Sequence, residues 1–216
     1  MSLGRLHYFN LRARGEIVRL VCAYGKLPVG EVVVPVGREF IDRKPTYPFG
    51  QLPMMEIQGK KYAQSMALAR YTAKQCGLYP TDDELAALEV DMIMDTCADL
   101  ITAVLHATFS ERDPVQRERL VAKLRKYTLP SIMRGLDTRL RDNTDGMGLF
   151  FLGEKISVAD IAVFDAVANT LLPKQDVLPV DLEREYPQVK QLMDQVQQVP
   201  TIAEYLRVRN TQETQI

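Results

Sequence analysis

Two spacings of apolar residues alternate along the first third of this chain. Residues 3–9 form a short, mostly apolar run that predicts a strand. Residues 10–15 are basic and loop-like. Ile17, Val18, Leu20, Val21 and Tyr24 then recur at helical spacing over 16–24, and Gly25 supplies a natural stop. Residues 31–36 are β-branched and predict a second strand, parallel to the first because a helix forms the short crossover. Met54-Met55-Glu56-Ile57, Gln58-Gly59 and Lys60-Lys61-Tyr62-Ala63 predict a hairpin with glycine in its turn. A helix over 65–76 follows, ended by Gly77.

The pattern changes at Leu78-Tyr79-Pro80-Thr81-Asp82-Asp83, a polar, proline-containing stretch that reads as a linker. Beyond it every periodic segment is helical. One helix is expected from Glu84 to about residue 109. Another opens at Asp113-Pro114, where proline is tolerated at the first helical position, and runs to about residue 141 with a basic solvent side. Residues 143–148 form a glycine-containing loop. Ser157-Val158-Ala159-Asp160 is a capping box, with Ile156 and Ile161 placed as a hydrophobic staple, so Asp160 reads as a folding residue and not a catalytic one. The apolar run 161–172 behind it predicts the core helix of this half. Tyr186-Pro187 and Val199-Pro200 mark further helix starts, and the polar tail 210–216 is expected to fray. The fold class that follows is an α+β N-terminal domain over 1–79, thioredoxin-like (βαβ–ββα on a mixed sheet), and an all-α domain over 84–216.

Composition narrows the function classes. In 216 residues, 27 Lys+Arg stand against 28 Asp+Glu, and 46% are hydrophobic. That near-neutral balance does not resemble a nucleic-acid or polybasic membrane surface. No apolar stretch approaches the roughly 20 residues of a membrane span. The N-terminus lacks the apolar core of a signal peptide, so a cytoplasmic location is expected. Cys22, Cys76 and Cys97 are scattered with no CxxC spacing, and the chain has 2 histidines, so neither a metal site nor a dithiol motif is expected.

The chemistry concentrates at Phe49-Gly50-Gln51-Leu52-Pro53 and Gln64-Ser65. Proline before a short strand belongs at the strand's first residue. A cis Leu52–Pro53 bond would turn the N–H and C=O of Leu52 outward, where they could pair with the backbone of a bound peptide. Ser65 begins a helix, whose free N–H groups and dipole suit a carboxylate. A docking edge for peptide backbone beside a carboxylate cradle points to a small acidic peptide, of which glutathione is the common one. Each feature taken singly also occurs in ordinary folds as a strand opening and a helix cap.

The chain resembles the cytosolic glutathione transferases, most closely a sigma-like class. The matching text is Leu6-His7-Tyr8-Phe9-Asn10, Arg12-Ala13-Arg14-Gly15-Glu16, Pro48-Phe49-Gly50-Gln51-Leu52-Pro53, Ala63-Gln64-Ser65 with Ala67-Leu68-Ala69-Arg70-Tyr71, and Val90-Asp91-Met92-Ile93-Met94-Asp95. It covers essentially the whole chain and is weakest in the last third. The resemblance implies that Tyr8 is the catalytic tyrosine, supported by Arg14. It implies that Leu52, held by Pro53, pairs with the cysteinyl backbone of glutathione. Gln64 and Ser65 would hold the γ-glutamyl carboxylate, and Lys44, with Gln51 near it, the glycyl carboxylate. Asp99 would reach the γ-glutamyl amine of a neighbouring subunit, which makes the protein a homodimer. A second-substrate pocket contributed by the helical domain would take a hydrophobic electrophile, with Phe9, Leu11, Ala13 and His106 as walls. Glutathione would be a co-substrate, with no permanently bound cofactor.

The chemistry expected of Tyr8 follows from acidity. A thiol with a pKa near 8.5 is mostly protonated at neutral pH, and a phenol donating to sulfur favours the thiolate, the reactive form. The chain also departs from the pattern. Phe40 stands where the class has a tryptophan that donates to the glycyl carboxylate, and phenylalanine cannot donate, so Arg38 or Arg43 would have to compensate. The chain has no tryptophan, and Ala98 interrupts the metal-binding acidic trio of the prostaglandin-isomerising branch. The alternatives are a glutathione-dependent isomerase or peroxidase, and a non-catalytic crystallin-like protein.

Overall fold

The computed structural model describes residues 2–143 and 148–213. It forms two compact units, Met1–Tyr79 with Gln198–Ile216, and Pro80–Gln197. The sequence-based boundary at the linker is therefore corrected at the other end of the chain. Residues 198–213, expected in the helical domain, pack with the first unit.

In the first unit, β1 (Gly4–Tyr8), β2 (Val29–Val33), β3 (Met54–Ile57) and β4 (Lys60–Ala63) form a four-stranded sheet of order β2-β1-β3-β4. β1 runs parallel to β2 and antiparallel to β3, and β3 pairs antiparallel with β4, so the sheet is mixed as expected. β2 lies two residues before the predicted run. The ladder with β1 closes with the Val34 N–H donating to the Tyr8 carbonyl at 2.8 Å, and Pro35 follows on the open edge, where its missing N–H costs no bond. Met54 and Met55 are both buried, so β3 is covered on both faces. α1 (Glu16–Tyr24) buries Ile17, Val18, Leu20 and Val21 completely and packs on α3 (Ser65–Gln75). Each such aliphatic side chain contributes about 1.5–3 kcal/mol by leaving water. Between them in sequence, α2 (Arg38–Arg43) places Phe40 against Val34, Tyr47 and Met54.

The second unit is helical. α4 (Glu84–Leu105) is capped by Asp83, whose carboxylate accepts from Leu85 and Ala86. It ends four residues earlier than predicted and passes into one wide turn, His106–Ser110. α5 (Pro114–Lys123) begins at Asp113 as expected. The single helix predicted there is broken by a wide turn at Leu124–Thr128 before α6 (Leu129–Asn143). Pro130 explains the change, because it cannot donate backward and its ring crowds the carbonyl four residues before it. Residues 144–147 of the glycine-containing loop lie outside the described residues. α7 (Val158–Asp165) is the buried core helix, followed by α8 (Leu182–Glu185) and α9 (Pro187–Gln198).

The capping box of α7 is present. Asp160 accepts from the Ser157 N–H at 2.7 Å, the Ser157 hydroxyl at 2.8 Å and the Phe151 N–H at 3.0 Å, while Ser157 accepts from Ala159. Burial pushes the Asp160 carboxyl up to about 6 against the pull of those donors. The last helix, α10 (Pro200–Glu213), returns to the first unit and packs on α1. It includes Asn210–Glu213, so those residues of the tail expected to fray are helical.

Candidate functional site

The site begins where β1 ends. Tyr8, the last residue of that strand, is 5% exposed. Burial pushes its phenol up to about 12, opposed by the N–H groups of Gly15 and Arg14 and by the charges of Arg19 and Arg14. The phenol is therefore neutral at physiological pH and available as a hydrogen-bond donor. Its ring fills the space over the Gly15 backbone. A Cβ on Gly15 would lie 2.2 Å from the ring, so glycine there is what lets the tyrosine seat. The Arg19 guanidinium lies 5.5 Å from the ring centroid on the α1 side.

Phe9 follows directly after the strand. Its ring meets that of Tyr8 at 5.3 Å and that of Phe40 edge-on at 5.1 Å, and Phe40 stacks on Tyr47 at 6.1 Å. Phe9 and Phe40 of this aromatic row, with Leu52, line a cavity of about 480 Å³. The cavity is lined by Phe9, Arg14, Phe40, Lys44, Gly50, Gln51, Leu52, Pro53, Gln64 and Ser65. Residues up to fifty-six apart in sequence thus meet at one concavity of ligand-binding size.

Three local backbone features shape it. The Leu52–Pro53 peptide is cis, and among the described residues neither the N–H nor the C=O of Leu52 has a hydrogen-bond partner. Phe49 and Gly50 both take positive φ, 56° and 60°, and Gly50 packs against the Lys44 side chain. Gln64 holds φ 77° immediately before α3, a conformation unfavourable for a residue with a Cβ. No side chain caps α3. Ser65 is the first residue inside the helix and not its cap, so the first N–H groups of α3 have no side-chain acceptor.

The expectations fare unevenly. Arg14, Phe40, Lys44, Gln51, Leu52, Pro53, Gln64 and Ser65 are brought together at the cavity. Tyr8 is not among its lining residues, but its ring contacts that of Phe9, which is. Phe9, expected in the second-substrate pocket, lines this cavity instead, whereas Leu11 and Ala13 do not line it. Leu11 is 39% exposed, and Ala13 takes φ 50° in the loop between β1 and α1. Asp99 on α4 and His106 in the turn after it belong to the second unit and are exposed. Among the described residues no three His, Cys, Asp or Glu side chains form a metal-binding group, and no helix is long and apolar enough to cross a membrane.

Sequence reasoning missed a buried set of charges behind Tyr8. Glu16, fully buried, pairs with Arg19 at 3.2 Å and accepts from the Tyr205 hydroxyl of α10 at 2.7 Å. Arg19 also donates to the carbonyls of Phe9 at 3.1 Å and Leu11 at 2.9 Å, and to Glu31 at 2.8 Å. The available signal was a Glu and an Arg three apart on the apolar face of a helix, where unpaired charges do not persist.

Comparison with known proteins places the chain in a family. Residues 4–74 match the family described as "Glutathione S-transferase, N-terminal domain", and residues 98–209 match "Glutathione S-transferase, C-terminal domain". The chain is 32% identical over 208 residues to hematopoietic prostaglandin D synthase of Gallus gallus, covering 95% of this chain and 96% of that protein. It is 29% identical to glutathione S-transferase S1 of Drosophila melanogaster, covering 94% and 78%. Among solved structures, rat hPGDS complexed with a quinoline superposes with a TM-score of 0.81 at 30% identity, covering 95% and 96%. The chain belongs to the glutathione S-transferase family.

Proposed function

We propose that the cavity at the end of β1 binds glutathione, and that Tyr8 stabilises its sulfur as a thiolate for attack on hydrophobic electrophiles. Glutathione conjugation is the activity that family membership supports, with glutathione as co-substrate. The observation that carries the residue assignment is the one cavity shared by Leu52, with its unpaired backbone groups, and the uncapped start of α3. A tripeptide with carboxylates at both ends matches that pattern of donors. The cysteinyl backbone pairs with Leu52, and the γ-glutamyl carboxylate meets Gln64, Ser65 and the first N–H groups of α3. The glycyl carboxylate lies toward Lys44 and Gln51. Phe40 supplies a wall there but no hydrogen bond.

Tyr8 stays protonated through neutral pH, so it acts as a donor to sulfur and not as a base. Arg14 at the cavity wall adds positive potential in the same direction. The thiol proton leaves to solvent as the thiolate forms, and sulfur then adds to the electrophile or displaces its leaving group. Phe9, Leu11 and Ala13 are the first-unit residues proposed to meet the electrophile.

Two further points belong to the proposal. The protein acts as a homodimer, supported by an apolar patch in which Phe49 is 78% and Tyr62 47% exposed beside an apolar groove of about 670 Å³. Asp99 is exposed, as a role toward a partner's glutathione requires. The location is cytoplasmic. A second reading, glutathione-dependent isomerisation, draws support from relatives named prostaglandin D synthase at 30–32% identity. Turnover of glutathione with an aryl halide, and with a prostaglandin endoperoxide under product analysis, separates the two. Glutathione binding with neither product would favour a crystallin-like role.

A further inference from the structure

The last helix, α10, is tied to the segment that carries the site at three places. Tyr205 donates to Glu16 at 2.7 Å, Arg209 donates to the Asn10 side chain at 2.8 Å, and Arg12 donates to the Asn210 side chain. Asn10 and Arg12 lie in the loop between β1 and α1, which also holds Phe9 and Arg14, and Glu16 is the first residue of α1. Glu16 and Arg209 are buried, with 0% and 5% exposure, and their charged atoms approach to 4.0 Å. The Glu16 carboxylate is thus enclosed by Arg19, Arg209 and Tyr205.

Arg19 turns that arrangement toward Tyr8. Its guanidinium is a planar fork that bonds several acceptors at once. Nη1 donates to Glu16 and to the Leu11 carbonyl, Nη2 donates to Glu31 and to the Phe9 carbonyl, and Nε donates to Glu31 as well. The same guanidinium lies over the Tyr8 ring. A shift of Arg19 would move the backbone directly after Tyr8, along with a positive charge that favours an anion at the phenol or at a sulfur bound to it. Buried hydrogen-bonded charges of this kind hold one geometry when every partner is present and lose it when one is removed.

We infer that Glu16 and Arg19, held by Tyr205 of the C-terminal helix, are positioning residues for Tyr8 and Arg14, and that α10 sets the reactivity of the glutathione thiol without touching the substrate. This rests on the reading of the cavity as a glutathione site.

The test uses full-length protein and glutathione, following thiolate absorbance in the ultraviolet against pH together with aryl-halide turnover. The variants are Tyr205→Phe, which keeps the ring and removes the hydroxyl, and Asn210→Ala, a milder change at an exposed contact. Tyr205→Phe is expected to raise the thiol midpoint by about half a unit, about a threefold change in the thiolate ratio at fixed pH. kcat should fall with it while KM for glutathione is retained, since no binding contact is lost. Asn210→Ala should shift the midpoint the same way by less. Glu16→Gln combined with Tyr205→Phe should give less than the sum of the single shifts, because both act through Arg19. Unchanged midpoints and kcat in folded Tyr205→Phe would overturn the inference and leave the glutathione site standing. If Tyr205→Phe does not fold, an unchanged midpoint in Asn210→Ala overturns it equally. Absence of any thiolate signal in the wild-type protein would overturn the glutathione reading and this inference together.

Discussion

Two helices of this protein start beside a serine, and they treat their free N–H groups in opposite ways. At α7, Ser157 and Asp160 satisfy each other and the local backbone, with Phe151 drawn in, and the cluster is closed to water. At α3, no side chain caps the helix, the preceding Gln64 is held at positive φ, and the helix start faces a cavity. Closed polar groups stabilise a fold, and polar groups left open at a cavity are available to a ligand. The residue type is the same, so the difference lies in what else the chain places within reach.

That contrast can be broken by mutation. The largest effect is expected at the closed end. Asp160→Ala removes the acceptor for Ser157 and Phe151 in a buried site and should lower stability by about 3 kcal/mol or more, read by denaturant unfolding, with turnover per folded molecule retained. A loss below about 1 kcal/mol would show that the box is not holding α7.

Tyr8→Phe should lower kcat/KM for aryl-halide conjugation by about tenfold or more, equivalent to about 1.4 kcal/mol or more. Because the wild-type phenol remains protonated up to about 12, the rise of rate with pH near neutrality reports the thiol. The variant should therefore move that rise to higher pH without abolishing it. Equal activity in both proteins would transfer the role to Arg14 or to a backbone donor.

Ser65→Ala should raise KM for glutathione by about tenfold through loss of a hydrogen bond to a charged group, yet change stability by less than about 0.5 kcal/mol. A stability loss as large as that of Asp160→Ala would erase the distinction between the two helix starts. The smallest change is expected of Gln64→Gly. Relief of the positive φ should leave stability equal or higher by up to about 1 kcal/mol, while glutathione binding weakens through the lost side chain.

The closed end was the more legible of the two. A capping box is a local signature, four residues that explain each other, so the roles of Ser157 and Asp160 are readable from those four letters alone. The mixed sheet followed from period and order, and the site segment from Leu52-Pro53 and Gln64-Ser65. Other features depend on distant partners. The helix after Asp113 changed pitch because of Pro130. Residues 210–213, polar in sequence, are helical because α10 packs back on α1. That Phe9 packs on Phe40 and lines the same cavity as Leu52 and Ser65 depends on residues far along the chain. The Glu16–Arg19–Tyr205 set needed a residue from the far end of the chain to be recognised.

Gly15 carries one more consequence. Since the space its side chain would need is already occupied by the Tyr8 ring, positions 8 and 15 cannot be varied independently. A library randomised at both should return glycine at 15 wherever tyrosine is kept at 8, and admit larger residues at 15 only in clones with a smaller residue at 8. Sequencing the folded and the active pools separately would show the two selections diverging: volume constrains the first, and the phenol the second. Any attempt to retune this enzyme by substitution around its tyrosine starts with that pairing as its grammar.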